Sequence, residues 1–482
     1  MDITKLTAIE MKEKLKDKEV SSREIVKAHL KKIEELEDEL NAFITITKEE
    51  ALKSADRVDK KIKNGEELGL LAGIPIGIKD NIITYGTKTT CGSKMLENFI
   101  PTYEGTVIEK IKEEDGIILG KTNMDEFAMG SSTETSYFGV TRNPIDLERV
   151  PGGSSGGSAA AVKACQVALS LGSDTGGSIR QPASFSGVVG IKPTYGLVSR
   201  YGLISVANSL DTIGVIGRNV LDAALMLGVI IGHDSKDSTS VDIEGIDYLD
   251  KLSEDIKGMK IAIPKEYFEI DMDNRIKDQI NKSVALLEDL GANIEEISLP
   301  NIKHGLATYY TISTAEISSN MARFDGIRYG YRAKEYETLD ELYMNTRREA
   351  FGREVKRRIM MGTYFLSSSH GDNYYKKALK VRTIIKKDFD KTFEKYDIIL
   401  SPTSPKLPFK IGENIDDPLN MYKSDLFTVP VNLAGICALS IPCGDIERLP
   451  VGLQIIGDRF KEINILKAAY ALEKNLSLGG VK

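Results

Sequence analysis

The sequence has no tryptophan and, in 482 residues, only four histidines and four cysteines. The cysteines stand far apart or outside CxxC spacing, at positions 91, 165, 437 and 443. This pattern excludes a disulfide scaffold and a zinc knuckle, and it is typical of a reducing compartment. We therefore expect a cytoplasmic protein without a bound metal.

Long apolar runs are also absent. No stretch reaches the roughly 18 consecutive apolar residues of a membrane-spanning helix, and the charged N-terminal segment has no apolar region of the kind a signal peptide carries. The formal net charge is −7, so no general basic field favours nucleic-acid binding. These absences predict no membrane contact and no direct contact of this chain with nucleic acid.

Glycine and serine, in contrast, are concentrated in residues 151–182. Two Gly-Gly-Ser clusters end at Ser154 and Ser178, and glycine is useful where the backbone must approach another group closely. The pattern between the clusters predicts a helix over 156–164 and a strand over 167–171. Such an out-and-back hairpin brings the two serines together, because its arms span roughly 15 and 20 Å. The turn at 175–178 would then offer backbone N–H groups to an oxyanion.

The letters of residues 153–157 match GxSxG, but a nucleophile elbow needs a strand before the serine, and also an acid and a histidine. Loop-forming residues precede this match instead. We expect His29 on the surface of an amphipathic helix and His233 and His304 in loops, while His370 ends a serine run. No histidine has the context of a Ser-His-Asp enzyme, which the sequence therefore disfavours.

With histidine disfavoured, lysine is the remaining candidate for the catalytic base, and a lysine must be desolvated to act as a base at neutral pH. Residues 73–80 predict a strand in which alternation separates Lys79 from three isoleucines. A strand-end lysine that reaches solvent explains Lys79 equally well, and the glycine clusters could form an anion-binding nest without catalysis. These residues alone leave a hydrolase and a binding module open.

A P-loop at Gly120-Lys121-Thr122 is excluded, because Asp115 occupies the position that requires glycine.

The remaining pattern alternates strands and helices. Residues 1–65 predict helices, with a capping box at Ser21 and Glu24, and residues 303–395 are mostly helical. Further strands are predicted at 116–119, 211–217, 260–264, 293–299, 397–402, 439–442 and 452–457, and further helices at 105–114, 219–231, 274–290 and from 460 onward.

Two motifs resemble the amidase signature family. Residues 152–158 and 173–182 (GGSSGGS and SDTGGSIRQP) fit its long motif, and residues 77–81 (GIKDN) fit the motif that carries its lysine. The resemblance implies a single large α/β domain over residues 1–482, with a central mixed sheet covered by helices on both faces. Within it we expect a helical segment (1–65), a signature core (66–220), a helical elaboration (221–395) and a return to the sheet (396–482).

The resemblance also implies a Ser–Ser–Lys triad. Ser178 would be the acylated nucleophile, Ser154 the bridging hydroxyl in a cis peptide, and Lys79 the base. The implied oxyanion donors are the backbone amides of Thr175, Gly176, Gly177 and Ser178.

Within the family, the chain is most similar to the glutamine-hydrolysing branch that serves tRNA-dependent amidotransferases. Residues 129–134, 141–144, 357–363, 374–378 and 425–435 carry this similarity, and 367–372 depart from the expected pattern. It implies a glutamine pocket of Tyr309, Arg358 and Asp425, in which a guanidinium suits the α-carboxylate and a carboxylate suits the α-ammonium. Without the resemblance, core packing, a solvated basic helix and a helix cap explain these three residues.

The same branch implies partners. Two further subunits would complete a heterotrimer, ATP and Mg²⁺ would bind the partner rather than this chain, and misacylated tRNA would be reached through the partner. The chain itself would need no cofactor. The alternatives are a free-standing amidase acting on small amides and a non-catalytic subunit that binds glutamine or an anion.

Overall fold

A computed structural model describes residues 2–243, 246–367 and 373–476. Its centre is one mixed sheet of eleven strands in the order β1-β3-β2-β4-β6-β5-β10-β11-β9-β7-β8. The strands are β1 Phe43–Ile46, β2 Pro75–Lys79, β3 Ile117–Thr122, β4 Leu169–Asp174, β5 Val189–Lys192, β6 Thr212–Gly217, β7 Lys260–Pro264, β8 Asn293–Ile297, β9 Ile398–Pro402, β10 Cys437–Ile446 and β11 Leu449–Gly457. The predicted α/β class with a single mixed sheet is confirmed.

The described residues also form sixteen α-helices. They are α1 Ala8–Lys16, α2 Ser22–Leu40, α3 Lys48–Asn64, α4 Thr106–Glu113, α5 Gly156–Lys163, α6 Arg180–Ser186, α7 Val220–Ile230, α8 Tyr248–Lys251, α9 Asn274–Asp289, α10 Gly305–Met321, α11 Leu339–Ala350, α12 Arg353–Leu366, α13 Tyr375–Phe393, α14 Pro418–Tyr422, α15 Val429–Ala434 and α16 Glu462–Asn475. No helix in this part of the chain combines the length and hydrophobicity that crossing a membrane requires.

Strand β2 is central to the first half of the sheet, where it runs parallel to both β3 and β4. β4 continues into an antiparallel pair with β6, and β7 to β9 form a second parallel group at the far edge. Because β2 is covered on both edges and all five of its residues are buried, the lysine that ends it cannot reach solvent along the strand.

Helices cover both faces of the sheet. Leu169 and Gly172 of β4 lie three positions apart and therefore face opposite sides. A Cβ atom on Gly172 would meet Ser155 at the start of α5, whereas one on Gly217, the partner of Leu169, would meet Ala223 of α7. The sheet is therefore buried on both faces, as predicted.

The N-terminal segment differs from prediction in two ways. Residues 43–46 form edge strand β1, antiparallel to β3, because this short run is rich in β-branched and aromatic residues. His29 is fully buried rather than on the surface, since it lies four residues after Ile25 and four before Ile33 on the inward stripe of α2. The predicted capping box at the start of α2 is confirmed.

Elements β5, α6, α8, α14 and α15 were not predicted. Helix α6 was missed because its sequence, RQPASFS, has no apolar periodicity, yet all seven residues are buried. The helical expectation for 303–395 is confirmed by α10 to α13. His233 lies in a loop as predicted, whereas His304 ends a short 3₁₀ helix, Ile302–His304. His370 lies outside the described residues, as does most of the segment 367–372 that departs from the pattern expected for the family.

Candidate active site

Lys79 lies at the centre of the candidate site with no solvent exposure. Its Nζ is within hydrogen-bond distance of Ser154 Oγ (2.8 Å), Ser155 Oγ (2.8 Å) and the Ser173 carbonyl oxygen (3.3 Å). Burial lowers the pKa of Lys79 to about 7, although nearby carboxylates, foremost that of Asp125, oppose the shift. A large fraction of such an amine is neutral at neutral pH and able to accept a proton.

The two Gly-Gly-Ser clusters lie side by side. The Ser155 N–H donates to the Ser178 carbonyl oxygen at 3.2 Å, and the Gly153–Ser154 peptide bond is cis. Ser154 has no solvent exposure, whereas Ser178 is the one residue between Gln166 and Ser186 that is half-buried instead of buried. The hairpin of α5 and β4 therefore presents one serine to solvent and holds the other inside beside Lys79.

Ser155 was not predicted to take part in the site. Its hydroxyl lies 3.2 Å from the Ser173 carbonyl oxygen, to which it donates, and 2.8 Å from Lys79 Nζ. Toward Lys79 it can therefore act only as an acceptor. Ser154 Oγ has no other hydrogen-bond partner in the described chain than Lys79, so its proton remains available for transfer.

The turn at 175–178 is tightly held. The Gly177 N–H donates to Asp174 Oδ1 at 2.8 Å, and the Thr428 hydroxyl donates to the Gly176 carbonyl oxygen at 2.6 Å. For the N–H groups of Thr175, Gly176 and Ser178, the described residues provide no acceptor. Of the four amides expected to bind an oxyanion, three are therefore unoccupied and the Gly177 amide is engaged.

A buried ion pair supports this turn from below. Arg180 contacts Asp174 through Nε and Nη2, both at 3.0 Å, and neither side chain is exposed. Burial raises the pKa of Asp174, but the Arg180 guanidinium outweighs it and holds that pKa well below its ordinary value. Asn432 donates a further bond to Asp174 at 2.8 Å. The sequence reasoning missed this role, although the letters SDTGGSIR place both charges beside Ser178.

Asp425 is buried in the segment that precedes α15. The Ser131 hydroxyl lies 3.0 Å from both of its carboxylate oxygens, and the Tyr310 hydroxyl donates to Oδ2 at 3.0 Å. Burial raises the pKa of Asp425 to about 7, although the hydrogen bonds from Ser131 and Tyr310 and the charge of Arg358 oppose the shift. Ser131 and Tyr310 are functional candidates to which no role was assigned from the sequence, although Ser131 lies within the 129–134 stretch, because neither residue stands in a spacing that indicates a site.

Arg358 lies beside two stacked aromatic rings, Tyr310 and Tyr422, whose centres are 4.1 Å apart. Its guanidinium carbon is 5.3 Å from the ring centre of Tyr310 and 5.4 Å from that of Tyr422, and Nε donates to Glu354 Oε1 at 2.8 Å. Burial lowers the pKa of Arg358, but the Glu354 carboxylate outweighs it and keeps that pKa above its ordinary value. Nη1 and Nη2 have no acceptor among the described residues, so this edge of the guanidinium can bind a carboxylate.

Tyr309 lies between the turn and Tyr310, against whose ring it packs edge-on with 5.0 Å between the ring centres. It is 5% exposed, and its ring lies so near Gly176 that a Cβ atom there would be 2.5 Å from Cζ. The structure thus brings together all of the predicted site residues: Lys79, Ser154, Thr175, Gly176, Gly177, Ser178, Tyr309, Arg358 and Asp425. Within the described ranges, no group of three or more His, Cys, Asp or Glu side chains is arranged to hold a metal ion.

Comparison with known proteins gives one family. A family model described as Amidase matches residues 24–466. The chain is 59% identical, over 474 residues that cover 98% of it and 97% of the relative, to the A subunit of glutamyl-tRNA(Gln) amidotransferase from Thermoanaerobacter pseudethanolicus. It is 57% identical to the same subunit of Carboxydothermus hydrogenoformans, with 98% of each chain covered.

Solved structures agree. The crystal structure of the glutamyl-tRNA(Gln) amidotransferase A subunit from Thermotoga maritima superimposes with a TM-score of 0.82 at 45% identity, covering 98% of this chain and 96% of that one. A bacterial aryl acylamidase of the amidase signature family superimposes with a TM-score of 0.86 at 28% identity, covering 97% and 96%. The resemblance predicted from the serine–glycine and lysine motifs is confirmed, and the chain belongs to the amidase signature family.

Proposed function

We propose that this chain is the glutaminase subunit of a tRNA-dependent amidotransferase. It hydrolyses glutamine and supplies the ammonia that converts Glu-tRNA(Gln), and in some settings Asp-tRNA(Asn), to its amidated form. The observation that carries the proposal is the buried contact of 2.8 Å between Lys79 Nζ and Ser154 Oγ, beside a pocket with a cationic and an anionic side. The high identity to the A subunit of glutamyl-tRNA(Gln) amidotransferases supports the same assignment.

In the proposed reaction, Ser178 Oγ attacks the side-chain amide carbon of glutamine. Its proton passes to Ser154 Oγ while the Ser154 proton passes to the neutral Nζ of Lys79. The relay then returns a proton to the amide nitrogen, the C–N bond breaks, and ammonia leaves behind a glutamyl ester on Ser178. Water attacks this ester with the same groups as base, which releases glutamate and restores the Ser178 hydroxyl.

The negative oxygen that forms in each step needs donors. The N–H groups of Thr175, Gly176 and Ser178 are the ones we assign to it, because Gly177 already donates to Asp174. Each preorganised donor of this kind contributes roughly 3 kcal/mol in known enzymes.

The pocket explains why glutamine suits the site. Arg358 would bind the α-carboxylate through its unoccupied Nη1 and Nη2, and Asp425 would bind the α-ammonium. The two charges lie on separate elements, α12 and the segment before α15, so that a ligand with both charges can bridge them. Tyr309 would pack against the aliphatic part of the substrate.

The complex follows from the same proposal. Two further subunits complete a heterotrimer, the partner carries ATP, Mg²⁺ and the misacylated tRNA, and this chain delivers only ammonia. Such a division of labour agrees with the net charge of −7, which does not favour direct tRNA binding.

The test is to express the chain with an affinity tag in its own cell and assay what co-purifies. We expect two companion proteins, glutamine hydrolysis by the complex, and a loss of at least about a thousandfold in Ser178→Ala. Rapid hydrolysis of small amides by the lone chain would instead identify a free-standing amidase. Glutamine binding without hydrolysis would identify a non-catalytic subunit.

A further inference from the structure

The side chain of Gln181 joins two loops of the site. Gln181 is fully buried near the start of α6. Its Oε1 accepts the Gly153 N–H at 2.9 Å, and its Nε2 donates to the Ser131 carbonyl oxygen at 3.1 Å. A side-chain amide offers an acceptor and a donor at fixed separation, and neither a carboxylate nor an apolar chain can make both bonds.

Each end of this bridge lies next to a group of the proposed reaction. Gly153 directly precedes Ser154, the relay hydroxyl, and Ser131 holds both oxygens of Asp425 at 3.0 Å. The backbone is adapted to the bridge, because a Cβ atom on Gly152, which has a φ of +86°, would lie 2.4 Å from Gln181 Oε1. The bridge therefore spans the distance from the substrate pocket to the relay.

Asp125 holds the same two loops together from another side. Its Oδ2 accepts the Ser132 N–H at 3.2 Å, and its own N–H donates to the Ser154 carbonyl oxygen at 3.3 Å. With two independent links, a displacement of one loop must displace the other. A buried polar network that is fully satisfied in this way fixes geometry.

We propose that Gln181 is a positioning residue that sets the distance between the ammonium site at Asp425 and the relay hydroxyl of Ser154. Through Ser131 it makes hydrolysis selective for amides that carry an α-ammonium group. The inference rests on the proposed glutaminase function and adds a residue that acts on substrate selectivity without contacting substrate.

The test is Gln181→Glu in the purified complex, assayed with glutamine and with glutaramate, which lacks the α-ammonium. The substituted carboxylate keeps an acceptor for the Gly153 N–H but directs an oxygen at the Ser131 carbonyl. We expect KM for glutamine to rise about tenfold with kcat changed less than about threefold, and KM for glutaramate to change less than about threefold. Gln181→Met removes both bonds, so we expect kcat to fall about tenfold as well.

Two controls separate positioning from general damage. Gln279→Glu makes the same change on α9, away from the site, and should leave both substrates unaffected. In a Ser131→Ala background, Gln181→Glu should add little to KM for glutamine, because the effect passes through Ser131. If Gln181→Glu does not fold, Gln181→Met carries the test.

An equal rise of KM for both substrates, or no change for either, would overturn the role of Gln181. A wild-type complex that hydrolyses glutamine and glutaramate equally well would overturn the proposed glutamine pocket itself. The two failures are therefore distinguishable by the wild-type measurement alone.

Discussion

The ring of Tyr309 lies directly against the backbone of Gly176, with 2.5 Å between Cζ and the position that a Cβ atom on Gly176 would occupy. The contact joins the proposed glutamine pocket to the turn that carries the proposed oxyanion donors. Only glycine allows this approach, because real Cβ atoms essentially never come within 3.0 Å of a neighbour.

Gly176→Ala should therefore displace either the Tyr309 ring or the turn. We expect kcat/KM for glutamine to fall about 100-fold, the scale at which a misplacement of about 1 Å affects an active site. Steady-state kinetics measure the loss. In a Tyr309→Ala background the added effect of Gly176→Ala should shrink, since the collision is removed; strictly additive losses would contradict the contact.

The two serines beside Lys79 should respond differently to truncation. Ser154→Ala removes the relay and should lower kcat by about 10³-fold or more, whereas Ser155→Ala removes one acceptor beside Lys79 and should lower it only about tenfold. Ser319→Ala, at an exposed position of α10, is the matched control. Equal losses in the first two variants would mean that Ser155 also transfers a proton.

The rate should depend on pH through Lys79 and Asp425, whose pKa values both lie at about 7. Below pH 7, Lys79 becomes protonated and cannot act as base, and Asp425 becomes neutral and cannot bind an ammonium. For glutamine we expect the logarithm of kcat/KM to fall with a slope approaching about two, and for glutaramate with a slope of about one. Parallel pH profiles for the two substrates would show that Asp425 does not bind the ammonium.

Asp425→Asn should raise KM for glutamine by about 10- to 100-fold, because it removes a charged partner from the ammonium.

Although it weakens glutamine binding, the same substitution should stabilise the folded protein at pH 8, which calorimetry measures. The folded pKa of about 7 lies above an unfolded value of about 3.9, so the folded state binds more protons between these pH values. The free energy of unfolding therefore falls with rising pH across that window, by up to about 4 kcal/mol.

Asp425→Asn should thus be more stable than the wild type at pH 8 and equal to it near pH 4. Asp416→Asn is the matched control, since the Asp416 side chain is 89% exposed. The control should change neither KM nor the pH dependence of unfolding. A wild-type stability that rises between pH 4 and 7 by comparison with Asp425→Asn would contradict the raised pKa.

Much of the fold was predictable from local pattern. Strand β2, the α5–β4 hairpin and helices α10 to α13 have clear periodicity or flanking glycine, and the structure confirms them. Helix α6 was not predicted, and the position of His29 was predicted wrongly. The buried polar residues of α6 leave no periodic signal in the sequence, whereas the spacing of His29 from Ile25 and Ile33 does place it on the inward stripe of α2.

The sequence by itself indicated which groups are candidates for the proposed reaction. It disfavoured a histidine triad, paired two serines with glycine-rich turns, and placed one lysine at the end of a strand lined by isoleucines. It could not decide whether Lys79 is exposed or buried, because alternation along a strand does not say what covers its edges. Only the tertiary structure, by packing β2 between β3 and β4, removes water from Lys79 and lowers its pKa to about 7.

The serine–glycine stretch at 151–182 shows the same division. Its letters determined that two hydroxyls and several free amides can meet. Tertiary contacts from distant segments decided the rest: Asn432 secures Asp174, and Tyr309 covers Gly176. The physical reason is that desolvation and fixed distances arise only when segments far apart in sequence pack together. The local sequence therefore supplies the candidate groups, whereas their pKa values and the distances between them depend on tertiary packing.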